Sequence, residues 1–136
     1  MDKKKILLVD DAQFSRNLLK KVISKSTTAE VCGEASNGNE ALEQFQSLKP
    51  DMVTMDLVMP EKGGIDTIEE LLQIDPSAKI VVVSALGQEA LVLEAAKKGA
   101  KDFIQKPFKD AQILDVIDKV LIKASTGKQA TRARSA

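Results

Sequence analysis

The side chains able to do chemistry gather at the ends of short apolar runs. Asp10-Asp11 follows Ile6-Leu7-Leu8-Val9, Asp56 follows Met52-Val53-Thr54-Met55, Ser84 follows Ile80-Val81-Val82-Val83, and Lys106-Pro107 follows Phe103-Ile104-Gln105. Three carboxylates brought to one place repel one another unless a cation sits among them. Oxygen ligands with open coordination positions suit Mg²⁺, which keeps several waters and bridges carboxylate to phosphate. Singly, each residue has an ordinary use: Asp11 and Ser84 are good helix N-caps, Asp56 can start a turn, and Lys106 is a solvated charge before a proline. Only the elements that carry them decide whether they act together.

The chain has no His, which removes Ser-His-Asp and Cys-His catalysis, His-ligated zinc and imidazole bases at once. Carboxylates, lysines and hydroxyls are left. Cys32 is alone, so no internal disulfide forms, and Glu30-Val31-Cys32-Gly33 reads as a buried strand thiol.

Short β-rich runs alternate five times with longer segments of helical period, the pattern of βαβ units and a parallel sheet. The strands are expected at 5–9, 29–35, 51–55, 79–83 and 101–105. Ile6 to Val9 and Ile80 to Val83 lack polar alternation, as strands covered on both faces do. The first helix carries Phe14, Leu18, Leu19, Val22 and Ile23 as its apolar stripe, and the last carries Ile113, Val116, Ile117, Val120 and Leu121. Pro50, Pro60, Pro76 and Pro107 fall between elements, and Gly63-Gly64 and Gly99 mark helix ends. The expected fold is therefore α/β, a doubly wound five-stranded parallel sheet with helices on both faces. In such a sheet the loops at the carboxyl ends of the strands form the ligand crevice, which brings Asp10, Asp11, Asp56, Ser84 and Lys106 to one edge.

At 136 residues, 43% apolar and 29% charged, the chain has the size and composition of one globular domain. No apolar run approaches the roughly 18 to 20 residues of a membrane span, and Lys3-Lys4-Lys5 is followed too soon by acids to head a secretory signal. A cytoplasmic protein without membrane insertion is expected. Net charge is zero, but Lys123, Lys128, Arg132 and Arg134 lie in a tail without acids, leaving residues 1–122 at −4. One domain is expected over 1–122, followed by a basic, disordered tail over 123–136. Without a basic stripe, Trp or Tyr, direct nucleic-acid binding is not expected.

Other crevice chemistries fit less well. A dinucleotide or P-loop site needs a glycine-rich turn after a strand, whereas Asp10-Asp11-Ala12-Gln13-Phe14 has two acids and no glycine. A flavin site lacks an aromatic Trp or Tyr to stack on the ring. A haloacid-dehalogenase-type phosphohydrolase needs a second Asp two places after its nucleophile, where Asp56-Leu57-Val58 puts valine.

Five motifs, in order and at the right spacing, are similar to those of the response-regulator receiver family, and within it to chemotaxis members. They are Leu8-Val9-Asp10-Asp11, Val53 to Pro60 around Asp56, Gly63-Gly64-Ile65-Asp66, Val83-Ser84-Ala85 and Gly99 to Phe108. The resemblance covers residues 3 to about 122 and implies a flavodoxin-like strand order, 2-1-3-4-5. It also implies that Asp56 accepts a phosphoryl group from a sensor histidine kinase, of CheA-like type, with Mg²⁺ as cofactor. Asp11 and Asp56 would bind the metal directly, Asp10 through water, and Val58 through its backbone carbonyl. Lys106 would contact the phosphoryl oxygens, Pro107 would follow a cis peptide, Ser84 would move to the phosphoryl group, and Phe103 would be the aromatic switch. The phosphorylated form would bind a flagellar motor switch protein or another effector and would be reset by intrinsic autophosphatase activity, with a phosphatase as a possible further partner.

The physics agrees with that chemistry, because phosphoryl transfer depends mostly on positioning and on neutralising charge. Val58 and Leu86 depart from the polar residues usual at those places, which bears on phosphoryl lifetime. Ala90-Leu91-Val92-Leu93 sweeps most of the way around a helix, so at least one of the three large residues should face solvent. Val92, Ala96, Ala100 and Phe103 are the expected output face. Three alternatives stay open: a phosphorelay intermediate or the receiver half of a longer regulator, an Mg²⁺-dependent aspartyl phosphatase turning over phosphomonoesters, and a receiver-like fold without phosphorylation.

Overall fold

In the computed structural model, which describes residues 3–123, five strands and five helices alternate. They are β1 (Lys4–Val9), α1 (Gln13–Ile23), β2 (Ala29–Ala35), α2 (Gly38–Leu48), β3 (Met52–Asp56), α3 (Gly64–Ile74), β4 (Ile80–Ser84), α4 (Glu89–Lys98), β5 (Asp102–Gln105) and α5 (Asp110–Ile117), with a π-helical extension over Asp118–Lys123. All pairings are parallel, and the strand order is β2-β1-β3-β4-β5. The expected doubly wound sheet is present. The tail beyond 123 lies outside the described residues.

Alternation along the strands divides the core in two. Leu7, Val9, Val53, Met55, Ile80 and Val82 face α2, α3 and α4 through Phe45, Ile68, Leu71 and Ala95. Ile6, Leu8, Met52, Val81, Val83 and Ile104 face α1 and α5 through Leu19, Val22, Ile23, Ile113 and Ile117. A period-two strand with both faces covered shows no polar alternation in sequence, which is why these runs read as continuous.

Strands 51–55 and 79–83 sit one residue later than expected, so Asp56 and Ser84 are the last residues of β3 and β4 and not the first of loops. The first helix also needs correction: Leu19, Val22 and Ile23 are buried, but Phe14 is 74% exposed and Leu18 40%. Phe14 lies in the first turn, beyond the end of the sheet, so its place on the helical stripe gives it nothing to pack against. Cys32 is half-buried rather than buried, although burial still raises its thiol pKa. Gly99 closes α4 at φ 117°, a left-handed conformation that favours glycine.

Candidate functional site

Sheet order builds the site. The order reverses between β1 and β3, whose neighbouring carboxyl ends open a crevice. Val9 pairs with Met55, so the next residues, Asp10 and Asp56, lie side by side. Asp56 in turn pairs with Val83, and Ser84 with Gln105. Lys106 therefore leaves β5 on the same edge, and its N–H donates to the Ser84 carbonyl at 2.7 Å. The Lys106-Pro107 peptide is cis.

Asp10, Asp11 and Asp56 each offer a carboxylate oxygen, and these oxygens lie within 4.8 Å of one another. Asp10 and Asp56 are buried, at 2% and 8% exposure, while Asp11 is exposed. Burial and then the Asp10 carboxylate push the pKa of Asp56 up to about 6, although Lys106 and the Val58 N–H pull the other way. The Val58 contact is weak, its N–H meeting Asp56 Oδ1 at 3.4 Å. An all-oxygen set of three acids, one open to solvent and one pushed toward its neutral form, fits a hard divalent cation. The only counter-charge hydrogen-bonded to one of these carboxylates, among the described residues, is Lys106, whose Nζ lies 3.1 Å from Asp10 Oδ2.

Asp10 itself is held on several sides. Its N–H donates to the Ala35 carbonyl at 3.0 Å, its Oδ1 accepts from the Ala12 N–H at 2.9 Å, and its carbonyl accepts from Arg16 Nη1 at 2.6 Å. The start of α1 is thus closed by Asp10, where Asp11 had been the expected cap; Ala12 occupies the cap position and has no oxygen to offer. Likewise the cap position of α4 is Gln88, four residues beyond Ser84. The ordinary helix-capping explanations for Asp11 and Ser84 are not realised.

Ser84 and Phe103 are brought together differently. With Val92, Gln105 and Gln112 they line a cavity of about 300 Å³ between β4, β5, α4 and α5. Leu91 and Val92 are half-buried against the core, whereas Leu93 is 60% exposed, so the expected surplus apolar residue is Leu93. Ala96 is exposed and Ala100 half-buried; neither lines this cavity. Val58 and Leu86 stand open at 53% and 73% exposure.

Ser15, Arg16 and Glu34 escaped the sequence reading, which took Gly64 only as a helix-end and motif glycine. Lys106 Nζ also reaches Ser15 Oγ at 3.3 Å. Arg16 binds Glu34 as well as the Asp10 carbonyl. Gly64 brings the start of α3 against β3, where an added Cβ would stand 2.3 Å from the Asp56 carbonyl oxygen. Ser15 and Arg16 had a usable signal, since side chains in a first helical turn lean back toward the preceding strand. Glu34 becomes visible only once β2 is known to lie beside β1.

The family model for the response regulator receiver domain matches residues 6–118. The chain is 56% identical over 117 residues to the chemotaxis protein CheY of Thermotoga maritima, covering 86% of this chain and 97% of that protein. It is 46% identical over 117 residues to the CheY of Bacillus subtilis, with the same two coverages. Among solved structures, the CheX-CheY-BeF3-Mg²⁺ complex from Borrelia burgdorferi is similar with a TM-score of 0.81 at 32% identity, covering 88% of this chain and 90% of that one. With its sheet order, acid cluster and sequence all of one kind, the chain belongs to the response regulator receiver family.

Proposed function

We propose that this chain is a phosphorylation-dependent signalling protein of chemotaxis in which Asp56 is the phosphoacceptor. The observation that carries the reading is the meeting of Asp10, Asp11 and Asp56 within 4.8 Å, with Lys106 across from them. In the transfer, a carboxylate oxygen of Asp56 attacks the phosphorus of a phosphohistidine on a CheA-like kinase. The O–P bond forms as the N–P bond breaks, and the histidine leaves with its electron pair. Bound Mg²⁺ supplies charge neutralisation around the phosphoryl oxygens. Asp11 and Asp56 would hold it directly, Asp10 through water, and Val58 through its carbonyl.

The remaining roles are those that the family resemblance implies, and the placement of the side chains is compatible with them. Lys106, held by Asp10 and Ser15, turns to the new phosphoryl oxygens, where a charge-assisted hydrogen bond forms only after transfer. Ser84, buried at the end of β4, donates its hydroxyl to the same group. That movement empties space in the cavity it shares with Phe103, so the ring moves inward and the surface of α4, β5 and α5 changes. A flagellar motor switch protein or another effector reads that change. Water attack on the aspartyl phosphate, unaided or with a phosphatase, resets it. The reported assembly of the Borrelia protein, CheY with BeF3, Mg²⁺ and CheX, supports Mg²⁺ as the cofactor and a protein partner.

Intact-mass measurement after treatment with acetyl phosphate and MgCl₂ tests the assignment. Wild type gains one phosphoryl mass and Asp56→Asn gains none; equal gain in both removes Asp56 from its role. Repeated turnover of a phosphomonoester by wild type would favour the aspartyl phosphatase reading.

A further inference from the structure

The peptide joining Asp10 to Asp11 decides where both carboxylates point, and its carbonyl is held from outside the acid cluster. Arg16, three residues into α1's chain from Gln13, reaches back to donate Nη1 to the Asp10 carbonyl at 2.6 Å. It is the donor to that oxygen among the described residues. Its Nε meets Glu34 Oε1 at 2.8 Å, and Glu34 Oε2 meets Lys20 Nζ at 2.9 Å. The Arg16 side chain is 13% exposed and that of Glu34 29%, so the guanidinium is fixed between a strand end and a carboxylate in partly desolvated surroundings. A planar fork bound at two nitrogens has little rotational freedom. Asp11, by contrast, accepts no hydrogen bond of its own among the described residues and is exposed. What orients it is its backbone.

We propose that Arg16, braced by Glu34, is a positioning residue that fixes the Asp10-Asp11 peptide and so presents Asp11 and Asp10 to the metal. This rests on the receiver reading above. Charge alone argues in the opposite direction: a guanidinium near a cation site repels the cation, and removing it should tighten Mg²⁺ binding. Positioning says that removal loosens binding, because Asp11 then samples orientations outside the site. The sign separates the two.

The experiment is calorimetric titration of the full chain with MgCl₂, at a temperature well below unfolding, for wild type, Arg16→Met and Arg16→Lys. Methionine keeps an unbranched stem and removes the donor; lysine keeps the charge but cannot bridge Glu34 and the carbonyl together. Arg16→Met should bind Mg²⁺ about tenfold more weakly, and Arg16→Lys should recover part of the loss and remain two- to threefold weaker than wild type. Equal or tighter binding in Arg16→Met overturns the inference. If Arg16→Met does not fold, Arg16→Lys decides alone, and wild-type affinity in it overturns the inference. Absence of Mg²⁺ binding in wild type would instead bring down the receiver reading itself, and this inference with it.

Discussion

Replacing Asp56 with asparagine should make the metal-free protein more stable at neutral pH. Asp56 titrates near pH 6 in the fold, raised by burial and by Asp10, against about 4 in an unfolded chain. Between these values the folded form keeps a proton that the unfolded form has lost. Stability therefore falls as pH rises from about 4 to about 6 and stays low above that. Two pKa units correspond to about 3 kcal/mol. Water reaches the crevice beside exposed Asp11, and screening reduces the figure to about 1–2 kcal/mol. Asparagine carries no charge, so it loses the attraction of Lys106 together with the repulsion of Asp10, and its amide oxygen can still accept from the Val58 N–H. Asp56→Asn should thus gain about 1–2 kcal/mol at pH 7.5 without metal, roughly 3–10 °C in Tm, and little at pH 4.

The chain has no Trp or Tyr, so urea unfolding is best followed by far-ultraviolet circular dichroism, with and without MgCl₂. Saturating Mg²⁺ should raise the wild-type midpoint and narrow its gap from the mutant, since binding to the folded state alone adds stability. A mutant no more stable than wild type at pH 7.5, or a gain equally large at pH 4, would refute charge repulsion as the cause.

Gly64→Ala should cost about 2–4 kcal/mol in urea unfolding and slow acetyl-phosphate labelling, because its Cβ would stand 2.3 Å from the Asp56 carbonyl oxygen, a backbone atom that cannot yield cheaply. Val58→Asn with Leu86→Glu should shorten the phosphoryl lifetime severalfold, by mass spectrometry over time, since both apolar side chains are open to water, two residues after Asp56 and after Ser84, and carry nothing that orients it. Val92→Glu should abolish effector pull-down by the phosphorylated protein while leaving Asp56 labelling intact; Val92 lines the Ser84–Phe103 cavity at the protein surface, and loss of both properties would show a folding defect instead.

Sheet and acid cluster were legible because they rest on short-range rules. Continuous apolar runs capped by chemistry-bearing residues give strands covered on both sides, and parallel order then sends every cap to one edge. What escaped was whatever depends on neighbours distant in sequence. Phe14 satisfies the helical period of α1, but its exposure follows from where the sheet stops. Arg16 reads as one more helix charge until β2 places Glu34 beside it. Gly64 reads as a helix start, and only its approach to the Asp56 backbone shows why a side chain would not fit. Asp10 was expected to act through its carboxylate; the structure gives its backbone as large a part.

The position of the acids at the middle of the sheet is also an energetic arrangement. Asp10 follows β1 and Asp56 ends β3, two interior strands whose neighbouring residues Leu8, Val9, Met55 and Val82 are nearly inaccessible to water. On an edge strand the same carboxylates would be hydrated, their repulsion weaker, and a cation's arrival would relieve little. Inside the sheet the repulsion persists in the empty site. Burial of a single Leu or Ile, worth about 1.5–3 kcal/mol, is enough to offset it. The penalty carried by the metal-free fold and the stabilisation gained on binding a cation are therefore largely the same interaction measured in two directions. A site built this way keeps Asp56 partly protonated near pH 6 while no cation is bound, and the surrounding apolar core offsets the cost of that repulsion in the metal-free fold.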